Sequence, residues 1–294
     1  MTFSLAALFW VSSVQAAPVT VDDAAVAKGL TKGLKSLADS GKIVSSKKLQ
    51  SQLGRTKCKL ELAAASVGQL ENLYAARADS VVVIGTVYKC GKCDNWHSSS
   101  NATAWILTED GVMVTNYHVF DGKDVAGFGI RTRDGKVAAV TEILAASKSD
   151  DVAIFKVSGS GFKPIALGPD AAVGSDLHII AHPGGRYYTY TSGKVSRYYR
   201  KRAAKGVSPA VMAVTAEFAR GSSGGPVMDS AGNLVGMVAS TQSIYSPVPT
   251  KAKLAKQGAK PRKVTAKPTE NKNFQMVIRN CVPVSAIRAL VGRP

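Results

Sequence analysis

Three short stretches, in a fixed order along the chain, constrain this sequence more than anything else in it. They are Thr115-Asn116-Tyr117-His118-Val119, Asp151-Val152-Ala153 and Gly221-Ser222-Ser223-Gly224-Gly225-Pro226. A serine hydroxyl becomes a useful nucleophile when a base takes its proton, an acid orients that base, and backbone N–H groups face the developing oxyanion. Glycines beside a serine meet the last need, because a residue without Cβ can turn consecutive N–H groups toward one point. On this reading Ser223 attacks, His118 is general base and then general acid, and Asp151 holds the imidazole. The N–H groups of Gly221 and Ser223 form the oxyanion hole. Asp150 is adjacent, but Asp151 abuts the apolar strand Val152–Val157 that would hold it beneath the ring.

The order His, Asp, Ser excludes the subtilisin-like and α/β-hydrolase arrangements, which place the same roles in other orders. TNYHV, DVAIFKV and RGSSGGPV resemble the three catalytic signatures of trypsin-like serine proteases, closest to the bacterial HtrA (Deg) branch, over roughly Ser80 to Val291. The Asp-x-Ala of that pattern also favours Asp151. The resemblance implies an all-β domain at 77–294, built as two six-stranded antiparallel barrels with a short C-terminal helix. It further implies peptide-bond hydrolysis through an acyl-enzyme, protein or peptide substrates, no cofactor, and a role in envelope protein quality control. The PDZ domains of typical HtrA proteins are not expected after that helix.

Some residues depart from the family pattern. Ser222 stands where trypsin-like zymogens carry the aspartate that binds a new N-terminus, so activation by that ion pair is not expected. Ala102-Thr103-Ala104 replaces a glycine-rich stretch, and nothing catalytic is expected to depend on it directly. Ala181-His182-Pro183-Gly184-Gly185 resembles an NPGG turn, with His182 a turn residue. Glu217 lies six residues before Ser223, where the family places the base of its specificity pocket. A carboxylate there would favour Lys or Arg substrates, whereas a Glu217 pointing outward or pairing with Arg220 would not.

β-branched runs and turn signals support many short strands. Ser80–Thr86 opens the first barrel, and Ala102–Leu107 and Val112–Thr115 form a hairpin at Asp110-Gly111. A further pair turns at Asp134-Gly135. The second barrel reads Leu177–Ala181, Tyr187–Ser196, Val211–Glu217, Pro226–Asp229 and Leu234–Thr241, closed by Asn273–Ile278.

Outside this region the chain is less regular. Met1 to Ala16 has an apolar run and a small-residue cleavage site, the pattern of a signal peptide that implies a periplasmic or secreted protein. No other stretch is apolar enough to span a membrane. The extension 17–76 has helical spacing at Val26, Leu30, Leu34 and Leu37, interrupted by Gly29, Gly33 and Gly41. Short helices or disorder are expected there. The net charge is +18, and eight Lys and Arg fall between Pro247 and Lys272 among Pro, Ala and Thr. That segment reads as a disordered basic loop, either a spacer or a binder of anionic envelope polymers. No recognition helix or aromatic-rich motif accompanies the charge, which argues against specific nucleic-acid binding. The rival functional class is a protease-fold binding or chaperone-like module that rarely cuts and holds anionic partners.

The four cysteines are Cys58, Cys90, Cys93 and Cys281. In an exported protein an even count points to disulfides, Cys90 with Cys93 and Cys58 with Cys281. Cys90, Cys93 and His97 also have the spacing of zinc ligands, which Cys58 or Cys281 would complete. A redox-active CxxC is the third reading, and c-type haem is excluded because Asp94 follows Cys93.

Overall fold

Two closed barrels of six antiparallel strands each make up the body of the computed structural model, which describes residues 20–122, 125–200, 209–247 and 272–292. The leader expected at 1–16 and residues 248–271 of the basic insertion lie outside the described residues. Barrel one contains β2 (Val81–Lys89), β3 (Trp96–Ile106), β4 (Val112–Thr115), β5 (Gly127–Arg131), β6 (Val137–Ser147) and β7 (Val152–Val157). Around its wall they run β2-β3-β4-β7-β6-β5. Barrel two contains β8 (Asp176–Ala181), β9 (Thr189–Arg200), β10 (Ala210–Val214), β11 (Pro226–Met228), β12 (Leu234–Pro247) and β13 (Lys272–Pro283). Their order is β10-β13-β12-β11-β8-β9. Closure pairs the edges that open sheets would leave exposed.

The unbroken apolar run of β2 has a direct cause. Successive side chains point to opposite faces of a strand, and here both faces are covered. Val82 and Ile84 enter the interior of barrel one with Ile106, Met113, Phe128 and Phe155. Val81 and Val83 face the other way, into a second cluster that includes Trp105, Val114, Ile180 and Met237 and so joins the barrels. Barrel two encloses its own cluster, with Leu177, Val195, Met212 and Val227.

The N-terminal extension is ordered where it was expected to be at best partly helical. Asp22 caps helix α1 (Asp23–Asp39) by accepting the Ala25 N–H at 2.9 Å, a strong start signal. Val26, Leu30 and Leu34 are its buried stripe and join the cluster shared with Val83 and Trp105. Gly33 is part of that contact: a Cβ there would come within 2.5 Å of the Val137 side chain. Gly29, close to Arg131, and Gly33 are therefore places where the helix meets the barrel, whereas Gly41 lies past the helix end in open space. Helix α2 (Ser46–Ser51) buries Leu49 against barrel one, α3 (Leu73–Arg77) leads into β2, and α4 (Val284–Arg288) follows β13. A small parallel ribbon, β1 (Cys58–Lys59) with β14 (Val291–Gly292), ties the extension to the C-terminal end.

Candidate active site

His118 sits in a single helical turn, Tyr117–Val119, immediately beyond β4. Asp151 immediately precedes β7, which is paired to β4 through Thr115 and Ala153. That pairing brings the two residues together. Both oxygens of the Asp151 carboxylate lie within hydrogen-bond reach of His118 Nδ1, at 2.9 and 3.0 Å, and one also accepts the His118 backbone N–H at 3.0 Å. Asp151 has φ +58, a left-handed conformation unusual for a non-glycine residue but better tolerated by Asp. Its carbonyl is fixed by Asn116 Nδ2 at 3.0 Å. The neighbouring Asp150 is occupied elsewhere, accepting from Ser147 Oγ at 2.6 Å. With Nδ1 on the carboxylate, Nε2 is the imidazole nitrogen left for another partner.

Ser223 lies across the cleft on the loop before β11. Its hydroxyl donates to the Ala239 carbonyl at 3.4 Å and makes no hydrogen bond with His118. Among the described residues, the N–H groups of Gly221 and Ser223 have no acceptor. Their direction follows from the peptide plane, in which C=O and N–H point oppositely. The Arg220 carbonyl is held by the Gly184 N–H at 2.7 Å and the Ser222 carbonyl by the Gly225 N–H at 2.8 Å. The next N–H in each case points away from those anchors. Gly221 has φ +99, and a Cβ there would lie 2.5 Å from the His182 carbonyl oxygen. No other residue fits this turn without moving the wall behind it.

The cleft has a volume of about 570 Å³ and is lined by Ala102, His118, His182, Tyr187, Arg220 and Ser223, among others. Glu217 is not part of it. Its side chain is 74% exposed and pairs with Arg279, so the expectation that Glu217 forms the base of a specificity pocket is not met. Past the end of β10, Thr215 and Glu217 are exposed whereas Ala216 and Phe218 are buried, which leaves the carboxylate in solvent. The charge partner is Arg279 on β13 rather than Arg220.

Residues that sequence reasoning passed over hold the site together. Thr103 is fully buried. Its hydroxyl donates to the Gly221 carbonyl at 2.9 Å and accepts the His182 N–H at 3.2 Å, while its own N–H donates to the Ser223 carbonyl at 2.9 Å. The segment Ala102–Ala104 thus supports the nucleophile loop directly, contrary to the reading that nothing catalytic depends on it. His182 is buried, and its Nδ1 accepts the Tyr188 N–H at 3.0 Å. Burial pushes its pKa down to about 4. At the rim, the Tyr187 N–H donates to Asp23 of α1 at 2.8 Å. No pattern in the extension signals that contact.

The cysteines form no disulfide. Cys281 is buried in the barrel-two core, where burial raises its pKa, and Cys58 lies at the ribbon with its thiol directed at the Leu290 carbonyl. The expected Cys58–Cys281 clamp is absent, and the two thiols belong to different apolar clusters. Cys90 and Cys93 face each other at 3.5 Å, unjoined.

Two six-stranded barrels flanking a cleft with His, Asp and Ser in this chain order define a trypsin-like fold. Residues 102–237 match the family described as trypsin-like peptidase domain. It is similar to Protease Do-like 1, chloroplastic, of Arabidopsis thaliana, at 27% identity over 50% of this chain and 34% of that protein. It is also similar to a probable periplasmic serine endoprotease DegP-like of Halomonas elongata, at 30% identity over 47% of this chain and 29% of the relative. The chain thus spans about a third of the length of these curated relatives. Among solved structures, the HtrA-type protease AlgW with decapeptide superposes with a TM-score of 0.56 at 20% identity, covering 74% of this chain and 65% of that one. Among the described residues, no helix is long and apolar enough to cross a membrane.

Proposed function

We propose that this protein is a serine endopeptidase in which Ser223 attacks the scissile carbonyl, His118 moves the proton and Asp151 orients the imidazole. The observation that carries the reading is the convergence on one cleft of a carboxylate-held imidazole, a serine and two N–H groups free to face an oxyanion. Attack requires the Ser223 hydroxyl to leave the Ala239 carbonyl and turn to His118 Nε2. Resting enzymes often show such loose geometry before substrate arrives. The proton passes to the imidazole as the Oγ–C bond forms, then to the leaving amine as the C–N bond breaks. Water repeats the sequence on the acyl-enzyme. Asp151 stabilises the imidazolium, and the Gly221 and Ser223 N–H groups stabilise the tetrahedral oxyanion.

The substrate is a protein or peptide segment bound in extended form. Beyond Val238, β12 pairs with β13 on one side only, and its other edge offers backbone groups to a peptide. Export to the periplasm or the exterior is part of the proposal, supported by the apolar leader and the periplasmic relative. So is a role in envelope protein quality control, with the basic segment near the C-terminal end holding anionic polymers. A fluorophosphonate probe tests the chemistry. The parent chain is expected to label on Ser223, and Ser223→Ala is expected to lose labelling and peptidase activity together while staying folded. A folded parent that never labels is instead a binding module.

A further inference from the structure

The turn joining β2 to β3 gathers three metal-ligating side chains at a distance from the cleft. Cys90, Cys93 and His97 present Sγ, Sγ and Nε2 within 4.8 Å of one another. The two sulfurs are 3.5 Å apart, and Cys93 Sγ is 3.2 Å from His97 Nε2. These separations can be compared with a tetrahedral zinc cage. Zn–S bonds of about 2.3 Å and Zn–N bonds of about 2.05 Å put the edges of such a cage at about 3.8 Å for S···S and about 3.6 Å for S···N. These two edges fall a few tenths of an ångström short of those values, and the third, from Cys90 Sγ to His97 Nε2, is within 4.8 Å. A sulfur–sulfur bond of about 2.0 Å would need the thiols to close by well over an ångström.

From this arrangement we propose that Cys90, Cys93 and His97 bind one zinc ion, with water in the fourth position. Local structure prepares each ligand. Gly91, at φ +71, bends the chain so that the Lys92 N–H donates to Cys90 Sγ at 3.4 Å, a bond that favours a sulfur carrying charge. His97 is fixed in the ladder opposite Tyr88, with its ring 5.6 Å from the tyrosine ring. The ammonium of Lys89 lies over Trp96 at 4.4 Å and is not among the ligand atoms. Two thiolates and a neutral imidazole balance the charge of the ion, and binding releases two thiol protons to solvent. Cys58 and Cys281, which the spacing offered as a fourth ligand, lie outside the cluster. The site is exposed, so it takes metal without opening the barrel. The bound ion would staple the turn from which β3 runs to Thr103 and the nucleophile loop.

The test uses the full chain, reduced and then dialysed against zinc. One equivalent of zinc per chain by elemental analysis is expected. Cobalt in its place should give thiolate-to-metal charge-transfer absorption. Cys93→Ser should abolish that band and His97→Ala should weaken binding by about tenfold or more, whereas Cys58→Ser and Ser223→Ala should leave both unchanged. Because all three ligands are solvent-accessible, these variants fold, which circular dichroism checks. Metal bound well below one equivalent by the reduced chain overturns the proposal, as does binding indifferent to His97. Peptide mapping that finds Cys90 joined to Cys93 in protein isolated with zinc present overturns it in favour of a disulfide.

Discussion

Thr103 donates its hydroxyl to the carbonyl of Gly221 at 2.9 Å. A strand of barrel one thereby grips the loop of barrel two that carries the candidate nucleophile. Thr103→Val keeps the shape and removes the hydroxyl, leaving the Gly221 carbonyl and the His182 N–H unpaired in a buried site. Such losses cost about 1–3 kcal/mol. We expect kcat on a peptide substrate to fall by about one to two orders of magnitude with KM little changed, because the support acts on the oxyanion donors more than on substrate binding. A variant with parental kcat removes Thr103 from the positioning role.

The contact between Gly33 and Val137 predicts the sign of another substitution. In an exposed helix, Gly→Ala adds stability of up to about 1 kcal/mol. Here the added methyl meets Val137 at 2.5 Å, and overpacking of this kind costs about 1–3 kcal/mol. Urea unfolding of Gly33→Ala should therefore show destabilisation. A stabilised variant would mean that α1 does not dock on the barrel.

His182 gives stability a pH dependence. Its pKa is near 6.5 in the unfolded chain and about 4 when buried, so the unfolded chain binds the proton more tightly. The contribution of His182 is fully present above pH 6.5 and falls as pH drops from there toward 4. A difference of this size corresponds to about 3 kcal/mol. Denaturant midpoints measured between pH 7 and 4.5 should decline in the parent, and the part due to this residue should vanish in His182→Phe.

Glu217 lies outside the cleft and is paired with Arg279, so Glu217→Ala should not alter cleavage-site preference. A peptide-library digest is the measurement. Loss of a Lys or Arg preference in the variant would return Glu217 to the pocket.

Legibility in the sequence followed the range of the forces involved. His118, Asp151 and the Ser223 loop sit beside strands with strong local patterns, and β4 and β7 bring the first two together by direct pairing. The strands of both barrels were visible from β-branched runs and Asp-Gly turns for the same reason. Glycine was misleading in α1, where propensity marks Gly29 and Gly33 as breaks and packing uses them as points of close approach. Thr103, Asp23 and Arg279 act on residues 118, 164 and 62 positions away, and no local pattern records such contacts. Glu217 was misplaced because counting back from Ser223 gives a position along the chain without saying which way the segment after β10 turns its side chains.

Both barrels are closed by strands outside the stretch that matches the family. β2 ends before residue 102 and β13 begins after residue 237, so the matched stretch alone cannot complete either ring. Barrel one has all its strands once Val157 is made. Barrel two must wait for β13, which lies beyond residues 248–271. During that interval β10 and β12 have bare edges, and each can pair with the wrong neighbour. The Ser223 loop, which precedes β11, is thus made before the ring that carries it can close.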